Sequence, residues 1–369
     1  MTHLPPRLAL SALALLLGVL PECGPSADNA TNTAAVSPRP VSSVTAPAAN
    51  PIAHATVVEP EMTVTLTTGR KQSVGTGWAR RGVWHTPTGT VRLGHPGTVV
   101  GLAEAGDWLL VERAAGEATD GGLDLMTRDA DVVRRARIQG KVAVDPARQI
   151  AAWADPRGHI HTLSRDGDVG LAPQPRGTVV TALISNGPTC LEIEGGSCTA
   201  VLHRDEHTAT YTTTHGFTDI VAEDAAEVSD QSHRYVAFRT LQDGPTSCSR
   251  VAPLRRPSRS MWDVCDLELG QFSPDGRFLI ASGHRVEGQR ARFLELRESG
   301  SGVPLLRVQA PDGGRLSSFE WADATHIVVI VWDGKHFQVV RVGLDGTATR
   351  LSRRANGETS GNPFLLERR

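Results

Sequence analysis

From Leu93 onward the chain alternates short apolar runs with turn residues, and one arrangement keeps returning: an apolar residue, four or five polar or turn residues, then four or more apolar ones. Leu102 opens LAEAGDWLLVE, Val144 opens VDPARQIAAWA, Ile184 opens ISNGPTCLEI, Val228 opens VSDQSHRYVAF, Phe272 opens FSPDGRFLIA and Trp321 opens WADATHIVVIV. These starts stand 42, 40, 44, 44 and 49 residues apart. A fixed period of roughly 20 to 50 residues is the mark of solenoids, propellers and arrays. After each start a second pair of strands is expected: RARFLELRE and PLLRVQA in the copy at 272, HFQVVRV and TATRLSR in the copy at 321, HIHTLSR and DVGLAP in the copy at 144. Asp166-Gly167 and Asp345-Gly346 join two of these pairs, and Asp-Gly favours tight hairpins because both residues tolerate positive φ. Each copy therefore reads as four antiparallel strands, first to fourth.

The second strands separate the architectures. A sheet with one wet face alternates apolar and polar residues, whereas a strand covered on both faces is apolar throughout. WLLV, IAAWA, YVAF, FLIA and IVVIVW are continuous. Four-stranded blades arranged radially cover one another in this way.

A repeat of 40 to 45 residues is also the blade length of WD-repeat propellers. The stretch from Leu93, with Gly94-His95 followed by an apolar strand at the expected distance, resembles such a repeat. It departs from the pattern in that Trp262-Asp263 and Trp332-Asp333 fall in different registers. Phe272-Ser273-Pro274-Asp275-Gly276 resembles the FSPDG-type turn of bacterial TolB-like propellers, specifically in this one copy and degenerately in the others. The resemblance implies an all-β chain folded as a β-propeller. SVGTGW, GVWHT and TVRL look like the later strands of a further blade, to be completed by MTVTLTT near residue 65 or by FLLE near residue 365. A blade shared between the two termini would close a ring, and seven blades are expected. Six or eight blades and a pair of β-sandwiches are the alternatives.

The region before the repeats has a different character. Residues 8 to 20, LALSALALLLGVL, form an apolar run after Arg7, too short to span a bilayer as a mature helix and suited to an export signal over 1–22. Residues 23–56 are Ala, Pro, Ser, Thr and Asn with almost nothing to bury, the composition of a flexible tether. The propeller is expected over 57–369. Leu20-Pro21-Glu22-Cys23 resembles a bacterial lipobox in its Leu and Cys and departs from it at Pro21 and Glu22. That resemblance implies a lipid on Cys23 and a place in the cell envelope, with simple secretion as the alternative. If Cys23 is lipidated, Cys190, Cys198, Cys248 and Cys265 remain, an even set for an oxidising compartment. Four cysteines allow three pairings. Read against the repeat, Cys190 with Cys198 and Cys248 with Cys265 would each close the same kind of loop in consecutive blades, and these are the pairs expected.

With 38 basic and 40 acidic residues the chain has no global field toward nucleic acid. Local chemistry is sparse. His203 and His207 are expected at a hairpin tip rather than around a metal, and His159 and His161 share a strand face without a third ligand nearby. Glu192 and Glu194 alternate with nothing to make one of them an acid. No Gly-x-Ser-x-Gly is present, so the hydrolase domain that accompanies some TolB-like propellers is not expected. No catalytic residue, metal or cofactor is assigned. The stretch SRVAPLRRPSRSMW carries Arg250, Arg255, Arg256 and Arg259 without an acidic residue among them. It is expected to be a link between second and third strands that offers guanidinium groups to carboxylate, phosphate or sulfate. The leading reading is an envelope-anchored propeller that binds a protein, peptide or glycan, and not nucleic acid. The alternative is an extracytoplasmic hydrolase or lyase with its site in the central channel.

Overall fold

In the computed structural model each of the six repeat starts lies in a strand just ahead of a turn into a second strand. The structure describes residues 59–368 apart from 73–76, 87–88, 95–98, 115–120, 166, 191–195, 205–207, 214–217, 223–224, 241–247, 284–290 and 359–360. The expected export signal, the tether and Cys23 lie outside the described residues, as do His207, Glu192 and Glu194.

Among the described residues there is no helix, and the strands form seven antiparallel units, each numbered as a sheet below. The first three run on as one eleven-stranded sheet, through the strand Val132–Val144 and through Glu367 and Arg368 lying parallel to Leu102 and Ala103. Sheet 1 contains Trp78–Arg80, Val83–Thr86 and Gly89–Arg92, with Phe364–Arg368 as its inner strand. Sheet 2 contains Val99–Ala105, Trp108–Arg113, Gly121–Met126 and the first half of Val132–Val144. The second half of that strand opens sheet 3, followed by Ala151–Ala154, Ile160–Ser164 and Gly167–Gly170. Gly140, at φ +77°, makes the bend between the halves. Sheet 4 is Val179–Asn186, Ser197–Arg204, Thr208–Thr213 and Thr218–Ala222; sheet 5 is Ala225–Gln231, Tyr235–Thr240, Ser249–Pro253 and Trp262–Val264. Sheet 6 is Leu267–Phe272, Phe278–Gly283, Phe293–Glu298 and Pro304–Gln309; sheet 7 is Arg315–Asp323, His326–Trp332, His336–Gly343 and Ala348–Arg350.

The packing closes these sheets into a ring. Sheets 1 and 2 share Trp84 and Leu109; 2 and 3 share Leu123 and Trp153; 3 and 4 share Ile150 and Leu202. Sheets 4 and 5 share Val201 and Phe238; 5 and 6 share Trp262 and Leu279; 6 and 7 share Leu296 and Val329. The last interface joins 7 back to 1 through Ile330, Val339, Phe364 and Trp78. Each second strand is thus covered on both faces, and Ile327, Val329, Ile330 and Val331 have no exposed surface. Burial of one such side chain contributes about 1.5–3 kcal/mol, so cohesion lies chiefly between sheets. A closed ring of radially packed four-stranded antiparallel sheets is a β-propeller, and the sheets are its blades.

Of the two segments that could complete blade 1, the C-terminal one does so: Phe364, Leu365 and Leu366 pair with Arg80, Ala79 and Trp78. Met62–Thr65 instead lies parallel to the fourth strand of blade 6, with Met62 opposite Leu306 and Thr65 opposite Gln309. From there the chain crosses blade 7, where Gly69 and Gln338 exchange hydrogen bonds of 2.7 and 3.0 Å and Thr68 donates to Asp333.

The FSPDG stretch is the link from first to second strand of blade 6. The Gly276 N–H donates to the Ser273 carbonyl at 2.7 Å, and the Ser273 hydroxyl donates to Asp275 at 2.6 Å. Gly276 has φ +69°, and a Cβ there would stand 3.0 Å from that of Ser232 in blade 5. Blade 3 builds the matching turn on Asp145, which accepts from Gln149 and Ile150 N–H at 2.7 Å each. Arg148 there adopts φ +58°, a conformation costly for a non-glycine residue. Its guanidinium reaches Glu104 of blade 2 at 3.0 Å and Glu367 of blade 1.

Antiparallel connection sorts the links between two faces. First-to-second and third-to-fourth links lie on one face, here called lower; second-to-third links and crossings between blades lie on the upper. Two expectations need correction on this basis. Cys190 and Cys198 are bonded, but Cys190 sits in the first-to-second link of blade 4 and Cys198 in the second strand. Cys248 and Cys265 are bonded just before the third and just after the fourth strand of blade 5. The two disulfides therefore close different kinds of connection on opposite faces. The apolar residues of TCLEI imitate a second strand, but that strand begins at Ser197. The arginine-bearing stretch is likewise a third-to-fourth link, on the lower face, and not a second-to-third link.

Candidate functional site

Two places on the ring carry chemistry that its packing does not consume. The first is the lower face of blades 5 and 6. Arg250 does not belong to it: this residue lies in the third strand, its Nε 3.0 Å from Asp263 Oδ1 and its guanidinium 5.8 Å from the centroid of Phe238. Arg255, Arg256 and Arg259 do lie in the link 254–261 and are exposed. Successive turns shape the link, with Arg256 N–H donating to the Pro253 carbonyl at 2.9 Å and Arg259 N–H to the Arg256 carbonyl at 3.0 Å. Backbone contacts tie it to its surroundings. Leu254 N–H donates to the Arg234 carbonyl at 2.8 Å, Trp262 Nε1 to Ser299 O at 2.8 Å, and Ser299 N–H to Arg277 O at 2.9 Å. Arg234 and Arg277, both exposed, thus join the same surface.

The second place is the central channel. The inner strands of blades 3 to 7 surround a cavity of about 430 Å³ whose polar lining includes Lys141, Gln271, Glu268 and Glu320, with His203 and Arg239 contributed by second strands. The carboxyl of Glu320 is held by a hydrogen bond from Gln271, while its Oε2 and Gln271 Oε1 are buried without partners among the described residues. Burial pushes Glu320 up to about 7; Asp230 adds to this, and Arg368 and Lys141 oppose it. Burial likewise pushes Asp230 up to about 6, although it accepts from Phe272 N–H at 2.7 Å and from the backbone of Gln231. Glu320 and Asp230 are both half-buried, with Glu320 on the channel and its Oε2 fully enclosed. Gln231, 3% exposed, has neither amide atom partnered among the described residues. It lines a separate void of about 30 Å³ with Asp230 and Trp321, large enough for an ordered water.

His159 and His161 are engaged by carboxylates, whereas His203 lies in the second strand of blade 4 with its Nδ1 buried and without a partner among the described residues. His159 Nδ1 lies 3.1 Å from Asp155, and His161 lies 3.5 Å from Asp168, whose hydrogen bond raises the histidine's pKa. Among the described residues no cluster of three or more metal-ligating side chains is found. Glu320, Asp230 and Gln271 were not singled out from the sequence. The signal was a carboxylate or amide inside otherwise small and apolar first strands, VSDQ, LGQF and SSFEW.

No protein-family model matches the chain, and no curated protein matches it. Among solved structures, the β-propeller domain of Cps50 (Swd1) from Myceliophteria thermophila is similar to it, with a TM-score of 0.45 and 11% identity over 71% of this chain and 87% of that one.

Proposed function

We propose that this chain is an extracytoplasmic, membrane-anchored β-propeller that binds a protein, peptide or glycan of the cell envelope through the links on its lower face. The observation that carries this reading is the link 254–261. It presents three exposed arginines, while the buried carboxylates Glu112, Glu295 and Glu367 are each met by an arginine of the ring. Arginine left without an internal partner on a rigid frame is suited to bidentate recognition of an anionic group. The two disulfides support an oxidising compartment, and the expected export signal and lipobox-like Cys23 support the anchor. The test is capture of partners from an envelope extract by the propeller and by its Arg255→Ser/Arg256→Ser variant. Unchanged capture would remove the link from the binding surface.

The channel supports a second reading, an extracytoplasmic hydrolase or lyase. It rests on Glu320, whose raised pKa suits a proton donor at neutral pH beside a cavity of about 430 Å³. Turnover of an envelope substrate that Glu320→Gln abolishes without loss of folding would establish it.

A further inference from the structure

We infer that the lower face of blades 5 and 6 docks onto the anionic headgroups of the membrane to which the chain is tethered. The inference rests on the membrane-anchored reading above, and it assigns the arginines of link 254–261 to lipid phosphate in place of a protein, peptide or glycan.

The first observation is charge. Arg234, Arg255, Arg256, Arg259 and Arg277 are exposed on this sector, and none is engaged by a carboxylate among the described residues. The acidic side chains beside them are Asp275 and Glu298, and both are occupied locally. Asp275 accepts from Ser273 and from Arg277 N–H, and Glu298 accepts from Ser301. The backbone contacts from Leu254 to Arg234 and from Ser299 to Arg277 make the five arginines one surface rather than five scattered charges.

The second observation is where the tether reaches the ring. Met62–Thr65 runs parallel to Pro304–Gln309, a strand that starts on the lower face, so the chain enters blade 6 from that face. Met62 lies beside Gly346, in the third-to-fourth link of blade 7, which belongs to the same face. The chain therefore joins the ring in the sector that carries the arginines. Between Cys23 and Met62 the acidic residues are Asp28, Glu59 and Glu61, against five arginines on the sector, and Glu59 lies 3.8 Å from Arg307. The composition of residues 23–58 is that expected of a tether, and a flexible chain of that length would span about 30 Å and keep the patch at high local concentration near a surface that holds Cys23. A phosphate-rich headgroup layer also matches the bidentate geometry of arginine.

The propeller from residue 51, whose seven interfaces close without any earlier residue, is mixed with vesicles of phosphatidylcholine alone or with about one-third phosphatidylglycerol. Sedimentation with the anionic vesicles alone, and its loss at high salt, are expected. Each arginine removed should weaken partitioning roughly fivefold, so Arg255→Ser/Arg256→Ser/Arg259→Ser should weaken it about a hundredfold with the thermal midpoint unchanged. Equal binding by the variant would overturn the inference, as would failure to bind anionic vesicles while capturing a soluble acidic protein. Fatty-acid labelling of the full chain and its Cys23→Ser variant tests the anchor separately. Labelled Cys23 with no vesicle binding defeats the docking and keeps the anchor; vesicle binding without label does the reverse.

Discussion

Glu320 gives the structure a measurable dependence on pH. Its carboxyl is pushed from 4.5 to about 7 by burial in the inner strand of blade 7, so the folded protein holds this proton more tightly than the unfolded chain does. Stability from this group is therefore greatest in acid. It falls as pH rises from 4.5 to about 7, by at most ~1.4 kcal/mol per pH unit, and changes no further above that. The whole interval corresponds to about 3 kcal/mol as an upper bound, reduced to about 1 kcal/mol if water in the channel screens the charge effectively. Glu320→Gln keeps the shape and the hydrogen bond from Gln271 but cannot ionise. The variant should match the parent near pH 4.5 and exceed it by about 1–3 kcal/mol at pH 8. Asp230, pushed up to about 6, titrates in both proteins and is coupled to Glu320, so their difference reports Glu320 together with its interaction with Asp230. Urea unfolding across this pH range, followed by tryptophan fluorescence with disulfides intact, measures it. Parallel pH profiles, or a variant weaker than the parent at pH 8, would refute the argument.

Other perturbations test the ring. Phe364→Ala empties a side chain 1% exposed at the seam of blades 7 and 1, and should cost about 3–5 kcal/mol in chemical unfolding. Cys248→Ser/Cys265→Ser opens a crosslink of sequence separation 17, for which chain entropy gives a loss of about 3 kcal/mol, read as a lowered denaturant midpoint. Gly276→Ala places a Cβ at φ +69° and 3.0 Å from Ser232, and should lower the thermal midpoint by the equivalent of about 1–2 kcal/mol.

The scaffold was largely legible because its signal is repeated. The apolar second strands and the turns ahead of them report burial on both faces, and they recur often enough to outweigh a poor copy. Blade 4 shows the limit. Its ten-residue first-to-second link carries Thr189, Cys190 and then Leu-Glu-Ile, which imitate a strand, so the position of Cys190 was misread while its pairing with Cys198 was expected. The arginine link failed for a related reason. Its face depends on counting strands through a blade whose fourth strand has only three residues, Trp262–Val264. The channel group was invisible for a different reason. Glu320, Gln271 and Asp230 come from three blades, and only ring closure brings them together.

The same closure explains why charge on this protein separates into two kinds. A carboxylate on an inner or middle strand faces protein on most sides, so leaving it unpaired is costly, and the ring supplies partners from the same blade or from other blades. Arg148 reaches Glu104 and Glu367, Arg368 reaches Glu112, and Glu295 receives both Arg297 and Arg307. Arg148 keeps a backbone conformation that glycine would adopt more cheaply, which is understandable only if its two carboxylates outweigh the strain. Glu320 escapes this rule by favouring its protonated form. Charge in the links is under no such constraint, because water solvates it at little cost. Arg255, Arg256 and Arg259, exposed in one link and engaged by no carboxylate among the described residues, are therefore not demanded by folding. Substituting Arg255, Arg256 and Arg259 should leave stability within about 0.5 kcal/mol of the parent, as expected of exposed positions, and any loss in binding then belongs to the surface alone.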